Sequence, residues 1–297
     1  MRHLQQRKVI IKGIFLLVVI IFLIKLFYIQ IIDTQYSESA KNNSIRFEVQ
    51  QAARGLIYDR NGKLMVSNIA SFDLMVTPRD VVRFDTLRLC TLIDLTIEKF
   101  RERLKEAGDY SGWRESVLSK QIPTKFAHKI YEELNDFKGF YIRINTTRDY
   151  NVKVAAHTIG FLGEVGDEKS KEEYYTKGDL EGKTGVEASY EKQLRGKKGM
   201  KMALVDAHNR NKGSFENGKH DSLAIHGKNI TTTLDIELQE YGELLMQNKI
   251  GAIVAIEPNS GEILTLITSP FYDPNQMKGR ERSRNYTNLY NNENKPL

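Results

Sequence analysis

One cysteine, Cys90, stands among 297 residues, so the chain can form no internal disulfide and must hold its folded parts together by ordinary packing. Histidine is scarce too, at six. Only His208, His220 and His226 approach one another, in a polar stretch without metal-ligand spacing, which argues against a metal centre. Acidic residues are missing from the first twelve positions, where Arg2, Arg7, Lys8 and Lys12 stand. Those four and Lys25 account for five of the formal net charge of +6, leaving about +1 for the rest. The sequence pI of 9.1 is therefore local in origin, and no basic stripe with interleaved aromatics remains elsewhere to serve a nucleic acid. Polar residues are the next absence. From Val9 to Ile32 the chain is apolar apart from Lys12, Lys25 and a few neutral side chains.

That run predicts a transmembrane anchor. Its uninterrupted part, Gly13 to Ile24, makes about 18 Å of helix, short of the roughly 30 Å hydrocarbon core. Ile14 to Ile32 comes close to a full span if the Lys25 amine snorkels to the outer interface. No small-residue cleavage site follows the run, so it reads as retained rather than as a signal peptide. The basic flank fixes the N-terminus inside and the bulk of the chain outside the cytoplasm. The segments expected are a cytoplasmic stub over 1–12, the anchor over 13–33, one domain over 34–228 and the start of a second over 229–297.

With 40% hydrophobic and 28% charged residues, the remainder is composed for globular packing. Arg46 to Gln50, Leu56 to Asp59 and Lys63 to Val66 read as strands, the last two joined by Asp59-Arg60-Asn61-Gly62 as a type I′ hairpin turn. Leu87 to Phe137 reads as helical. Ile97, Phe100, Leu104 and Ala107 share one face there, and Phe126, Ile130, Leu134 and Phe137 share another, both read as core stripes. Tyr141 to Ile144 returns to strand, Val152 to Ile159 to helix, and Val205 to Asn229 reads as an exposed linker. Thr233 and Asp235 are candidate caps for a helix to about Asn248 that carries Leu238, Tyr241 and Leu245 on one side. Gly251 to Glu257 and Glu262 to Thr268 then form an antiparallel hairpin, and Asp273 to Leu297 is polar with no closing element.

Four blocks of sequence occur in order. The first is Arg54-Gly55-Leu56-Ile57-Tyr58-Asp59-Arg60-Asn61-Gly62, and the second runs from Ala156 through His157 and Gly160 to Glu164. The third is Gly182-Lys183-Thr184-Gly185-Val186-Glu187 with Tyr190 and Leu194-Arg195-Gly196. The fourth begins at Thr233-Leu234-Asp235 and ends at Pro270-Phe271-Tyr272-Asp273-Pro274-Asn275. Together they resemble the N-terminal half of class B penicillin-binding proteins over about residues 46 to 297. One departure is Asn151, where the family often carries proline after its Arg-x-Tyr, here Arg148-Asp149-Tyr150. The ending Asn294-Lys295-Pro296-Leu297 is more similar to the elongation-type members than to the division-type ones.

The resemblance implies an α+β architecture: one transmembrane helix, an elongated non-catalytic pedestal (dimerisation) domain, then the first helix and β-hairpin of an incomplete transpeptidase domain. In the family the second domain is a serine D,D-transpeptidase that cross-links peptidoglycan through its stem peptides and is acylated by β-lactams. No cofactor is implied. The implied partners are a membrane-embedded SEDS-family glycan polymerase, an extracytoplasmic rod-complex scaffold and a second copy of the chain. The setting is the cytoplasmic (inner) membrane, and the alternative functions are a division-type class B penicillin-binding protein or a non-enzymatic extracytoplasmic scaffold of the cell-wall machinery.

The transpeptidase needs a serine with a lysine one helical turn later, a Ser-x-Asn loop and a Lys-Thr-Gly strand. All three patterns occur as letters: Ser189-Tyr190-Glu191-Lys192, Ser283-Arg284-Asn285 and Lys183-Thr184-Gly185. Their order is wrong. Lys183 lies six residues before Ser189, whereas the family places that strand far downstream, so Ser189, Lys192 and Lys183 are read as decoys and the nucleophile is expected beyond Leu297. For the motif residues a structural role is expected. Gly55, Gly62, Gly185 and Gly196 would permit tight turns, and Arg54, Arg60 and Arg195 would pair with Asp59, Glu164 or Glu187.

Overall fold

The computed structural model describes residues 2–29, 44–122, 124–172, 174–176, 178–206 and 211–297, with the side chains of 2–11, 124, 125, 127, 128, 171 and 211 outside that description. The fold is mixed α+β. In chain order the first strands are β1 (Ile45–Gln50), β2 (Ile57–Tyr58), β3 (Leu64–Val76), β4 (Ser116–Ile122), β5 (Phe140–Tyr150) and β6 (Leu162–Glu164). They are followed by β7 (Leu180–Gly182), β8 (Gly199–Val205), β9 (Asn211–Ser214), β10 (Ile230–Thr231), β11 (Gly251–Ile256) and β12 (Ile263–Ser269). Two compact units divide the chain, 1–48 with 201–221, and 49–200 with 222–297.

The smaller unit contains the helix Arg2–Phe27 and most of a three-stranded sheet ordered β1-β8-β9. Along the helix every described side chain from Lys12 on is exposed, Ile14 to Phe27 among them. Its described side chains cover about 24 Å, less than a hydrocarbon core, and no helix among the described residues is long and apolar enough to cross a membrane. The basic flank Arg2, Arg7 and Lys8, residues 30–33 at the outer end of the expected span, and His208 lie outside the described side chains or residues. Instead of a featureless linker after Val205, β9 returns along β8, and further on Lys197 pairs across to Ile225 within the larger unit.

The larger unit is organised by β3, which runs thirteen residues, far past the Val66 where the sequence pattern ended it. It pairs antiparallel with β2 at one end, with β5 along Val66 to Val76, and with β4 over its last five residues. β4 was hidden inside the expected helical stretch, because its Val117-Leu118-Ser119-Lys120 has too few residues to display a period. The helices Thr86–Leu92, Ile97–Tyr110 and Thr124–Glu133 flank it in sequence. Both predicted stripes face the core. Phe100, Ala107, Ile130 and Phe137 are buried with Leu74, Leu89, Ile93 and Leu118, while Ile97, Leu104, Phe126 and Leu134 pack at the rim. A second core gathers Ile57, Met65, Val66, Tyr150, Ile159, Leu194 and Ile236.

Several local expectations are corrected. The turn at Asp59 is not type I′, since Gly62 alone takes positive φ, at 82°. The Asp59 carboxylate accepts the Asn61 and Lys63 N–H groups at 2.9 and 2.7 Å, which supplies the turn without bending Asn61 into the left-handed region. The Val152 helix begins only at Ala156, because Ala155 sits at φ 61° and breaks the run before it. Asp235 caps the helix Ile236–Leu245 through the Glu237 and Leu238 N–H groups, whereas Thr233 bonds the Ile263 carbonyl. That helix buries Ile236, Gln239, Gly242 and Glu243 and turns Leu238, Tyr241 and Leu245, which do share one side, outward. The polar segment after Asp273 forms a helix, Arg282–Tyr290.

Candidate functional site

Four charged side chains meet inside the larger unit. β3 and β5 place Asn68 directly opposite Arg148, and the short helices Gly185–Ser189 and Glu191–Leu194 bring Glu187 and Glu191 to the same point. Arg54 donates through Nη2 to Glu187 Oε2 and Glu191 Oε2, both at 2.7 Å, and through Nη1 to Glu191 Oε1 at 3.1 Å. Arg148 donates through Nε to Glu187 Oε1 at 2.7 Å and through Nη1 to Asn68 Oδ1 at 2.9 Å. Asn68 closes the loop by donating to the Arg54 carbonyl at 2.7 Å. The Tyr175 hydroxyl and the Gly182 N–H both donate to Glu191, at 2.9 Å.

Burial makes this arrangement consequential. Glu187 is 0% exposed and the Arg148 side chain 2%, so neither charge has water to fall back on. Two cations face two carboxylates, and the bidentate geometry suits guanidinium. Burial would raise the Glu191 carboxyl, but the bonds from Arg54 and Gly182 outweigh it and hold it below the usual range. Burial would equally lower the Arg54 guanidinium, and the two carboxylates hold it above its ordinary value. At Arg148 burial wins, aided by repulsion from Arg54, and its guanidinium falls below the usual value. The Tyr150 hydroxyl is pushed up by burial. Among the described residues Arg54 Nε, Arg148 Nη2 and the Tyr150 hydroxyl are buried without a hydrogen-bond partner.

The other motif residues are placed separately. Arg60 reaches Glu262 at 3.4 Å, and Glu164 pairs with Lys120 at 3.0 Å in an exposed setting. Arg195 lies over the Tyr174 ring, 3.8 Å from its centroid. Gly55 is the tightest position: a Cβ there would meet the Lys228 carbonyl oxygen at 1.9 Å, while its N–H donates to the Leu194 carbonyl at 2.9 Å. Three backbone segments cross at that point and leave no room for a side chain. Gly196, at φ 71°, lies against the Ile225 carbonyl, and Gly185, at φ 59°, against that of Thr158. Lys12 and Lys25 lie on the N-terminal helix, with the Lys25 amine 5.7 Å from the centroid of the Tyr28 ring.

The three transpeptidase-like patterns are dispersed by their neighbours. The Lys183 amine donates to Glu181 at 2.6 Å, Ser189 and Lys192 are exposed on two successive short helices, and Asn285 donates to the Gln276 carbonyl. Among the described residues no group of three His, Cys, Asp or Glu side chains is placed to hold a metal ion. Sequence reasoning missed Arg148, Glu191, Asn68 and Tyr175 as members of the network. Arg148 and Glu191 lay inside quoted motifs, but attention fell on the proline position beside one and the Ser-Lys spacing around the other.

The motif residues thus meet in a buried, charge-balanced junction on a β3-β5 frame, reached by glycines that admit crossing backbones. Residues 49–232 match the family model of the penicillin-binding protein dimerisation domain, and the chain belongs to that family. The relatives it matches include penicillin-binding protein 2 transpeptidases, to whose N-terminal part it corresponds. It is similar to the peptidoglycan D,D-transpeptidase MrdA of Acinetobacter baumannii, 33% identical over 314 aligned positions that cover all of this chain and 46% of the relative. MrdA of Salmonella typhimurium is 30% identical over 306 positions, 98% of this chain and 48% of the relative. The chain thus spans about half the length of these curated relatives. Among solved structures, penicillin-binding protein 2 of Helicobacter pylori, determined in complex with MreC, shares the fold with a TM-score of 0.68. That match has 22% identity and covers 85% of this chain and 48% of the other.

Proposed function

We propose that the chain is the membrane-anchored, non-catalytic portion of an elongation-type peptidoglycan D,D-transpeptidase, and that it holds and docks while the reaction is carried by residues beyond Leu297. The observation that carries this reading is the Arg54–Glu187–Arg148 network, a buried junction that lies within the stretch matching the dimerisation domain. Residues 13–33 serve as the anchor, 34–228 as the pedestal and 229–297 as the opening of the transpeptidase domain. One feature supports the last assignment. The outward-facing Leu238, Tyr241 and Leu245, with Val254 and Ile256 of β11, present an apolar face of the kind a further structural layer covers.

The partners that fit are a rod-complex scaffold protein of the MreC kind, as seen with the Helicobacter relative, and a SEDS-family polymerase in the inner membrane beside the Lys25 helix. Fluorescent penicillin tests the core of this reading. Residues 1–297 are expected to remain unlabelled, while a protein extended through a downstream Ser-x-x-Lys becomes labelled. Labelling of the 297-residue chain that disappears in Ser189→Ala would sink it.

A further inference from the structure

Among its described side chains the N-terminal helix carries two charges, Lys12 and Lys25. At 1.5 Å per residue their Cα atoms lie about 20 Å apart, roughly 10 Å less than a hydrocarbon core. Such a helix spans a bilayer only if its amines reach outward to the two interfaces. Lys25 is placed to do so. Its amine lies 5.7 Å from the centroid of the Tyr28 ring, which stands almost one turn nearer the C-terminal end of the helix.

Three features single this pair out. The α-helical geometry runs to Phe27 and gives way to a wider, π-type turn at Tyr28 and Ile29. Every described side chain of the helix from Lys12 on is exposed, Tyr28 at 49%, so the pair is not packed into the protein among the described residues. Among those residues the Lys25 amine meets the Tyr28 ring and no carboxylate. A tyrosine suits a membrane interface, with its ring towards hydrocarbon and its hydroxyl in the headgroup layer, and a cation held against that ring is drawn to the same layer. The lengths then agree. From Lys12 to Tyr28 the rise is about 24 Å, and a Lys12 side chain leaning towards the N-terminus, as helical side chains do, adds about one 5.4 Å turn. The sum is close to the roughly 30 Å of a hydrocarbon core.

We propose that Lys25 and Tyr28 form a binding site for the phosphate of an outer-leaflet phospholipid, with the amine on the phosphate oxygens and the phenol hydroxyl in the same headgroup. The site sets the outer limit of the span at Tyr28 rather than at residue 33, and so fixes the height at which the chain leaves the bilayer. The proposal rests on the anchor reading above and deepens it. A phosphate supplies the anion that the protein does not place beside Lys25, at the depth where bilayers carry it.

The full chain, reconstituted in nanodiscs of phosphatidylethanolamine and phosphatidylglycerol with its lysine side chains labelled with nitrogen-15, tests it. Solid-state NMR dephasing of the amine nitrogens by lipid phosphorus is expected to reveal amines about 4 Å from phosphorus, part of that signal being lost in Lys25→Leu. Mapping the outer boundary by the reach of engineered N-glycosylation acceptor sites is expected to place it within about one turn of Tyr28. Lys25→Leu should move that boundary about one turn towards the C-terminus, Tyr28→Leu should move it less, and Lys25→Arg, which keeps the charge, should leave it in place. Dephasing that is identical in Lys25→Leu, or a boundary that does not move in that variant, would overturn the proposal. The first is also the result expected if Lys25 lies in hydrocarbon, kept for an acidic side chain of a membrane partner. A chain that does not co-purify with the nanodiscs would sink the anchor reading and this site together, whereas one that inserts without dephasing from Lys25 sinks the site alone.

Discussion

Two regions of the larger unit are both largely buried and built from opposite materials. Around Phe100 the core is hydrocarbon: Leu89, Ile93, Leu118 and Ile130 fill it, and Phe84 meets Phe100, Phe137 and Phe140 edge-on at 6.0, 6.1 and 5.0 Å. At Glu187 the space is filled by two guanidinium groups and two carboxylates. In the first region each contact is weak and interchangeable, so the cost of a change follows the volume lost. In the second the partners are few and specific, and removing one strands the others without water. Shape is the currency of one region and charge that of the other.

Glu187→Ala is therefore expected to be the most damaging single change, destabilising by roughly 3–5 kcal/mol because it leaves Arg54 and Arg148 facing each other in a buried site. Thermal unfolding measures it. Glu187→Gln keeps the shape and loses the charge, and should cost nearly as much; if it were well tolerated, the comparison between the regions would break.

Leu89→Ala in the hydrocarbon region should cost roughly 2–5 kcal/mol, depending on how far the site collapses. Leu89→Met, which conserves volume, should cost under about 1.5 kcal/mol. The contrast between a tolerated isosteric change at Leu89 and an untolerated one at Glu187 is the sharpest form of the comparison.

The two regions also differ in how far they were legible. The hydrocarbon core announced itself through helical periodicity, since Phe100 and Ala107, or Ile130 and Phe137, recur at the spacing of one helix face. β4 was invisible for the complementary reason: seven residues between two helices are too few to show a period, and its place is fixed by pairing with β3. The charged region was legible as motif letters and not as geometry. Arg54 and Glu187 were singled out together, but nothing local to Arg148 shows that its partner lies 39 positions away, because that contact depends on the β3-β5 register. The helix Ile236–Leu245 shows that a stripe read from spacing does not say which side is buried. Its apolar stripe faces outward, and the polar Gln239 and Glu243 are inside because the Ala155 N–H and the Leu266 backbone need acceptors and donors there.

Glu243 supplies a smaller test of the same idea. Burial pushes its carboxyl up, against the stabilising bonds from Ala155 and Gln239, and no cation is paired with it among the described residues. A carboxyl whose folded pKa is raised stabilises most below its unfolded value, and loses that contribution as pH rises through the folded one. At pH 7 the ionised group is therefore a liability. Glu243→Gln keeps the acceptor for Ala155 and should raise the melting temperature at pH 7, with the advantage vanishing as pH falls below the ordinary glutamate range. A variant equally favourable at both ends of that range would show that packing, not charge, was responsible.

Glu164 closes the comparison from the other side. It was singled out with Glu187 as a motif carboxylate, and it too is ion-paired at a normal distance, to Lys120 at 3.0 Å. The difference is water: the Glu164 side chain is 50% exposed and that of Glu187 is 0%. An exposed lysine pair spends side-chain entropy on a water-screened attraction, and its loss leaves each ion hydrated. Glu164→Ala should accordingly change stability by less than about 1 kcal/mol. If it instead matched Glu187→Ala, burial would not be what separates the two carboxylates, and the role of the motif would have to be sought in a partner that covers Glu164.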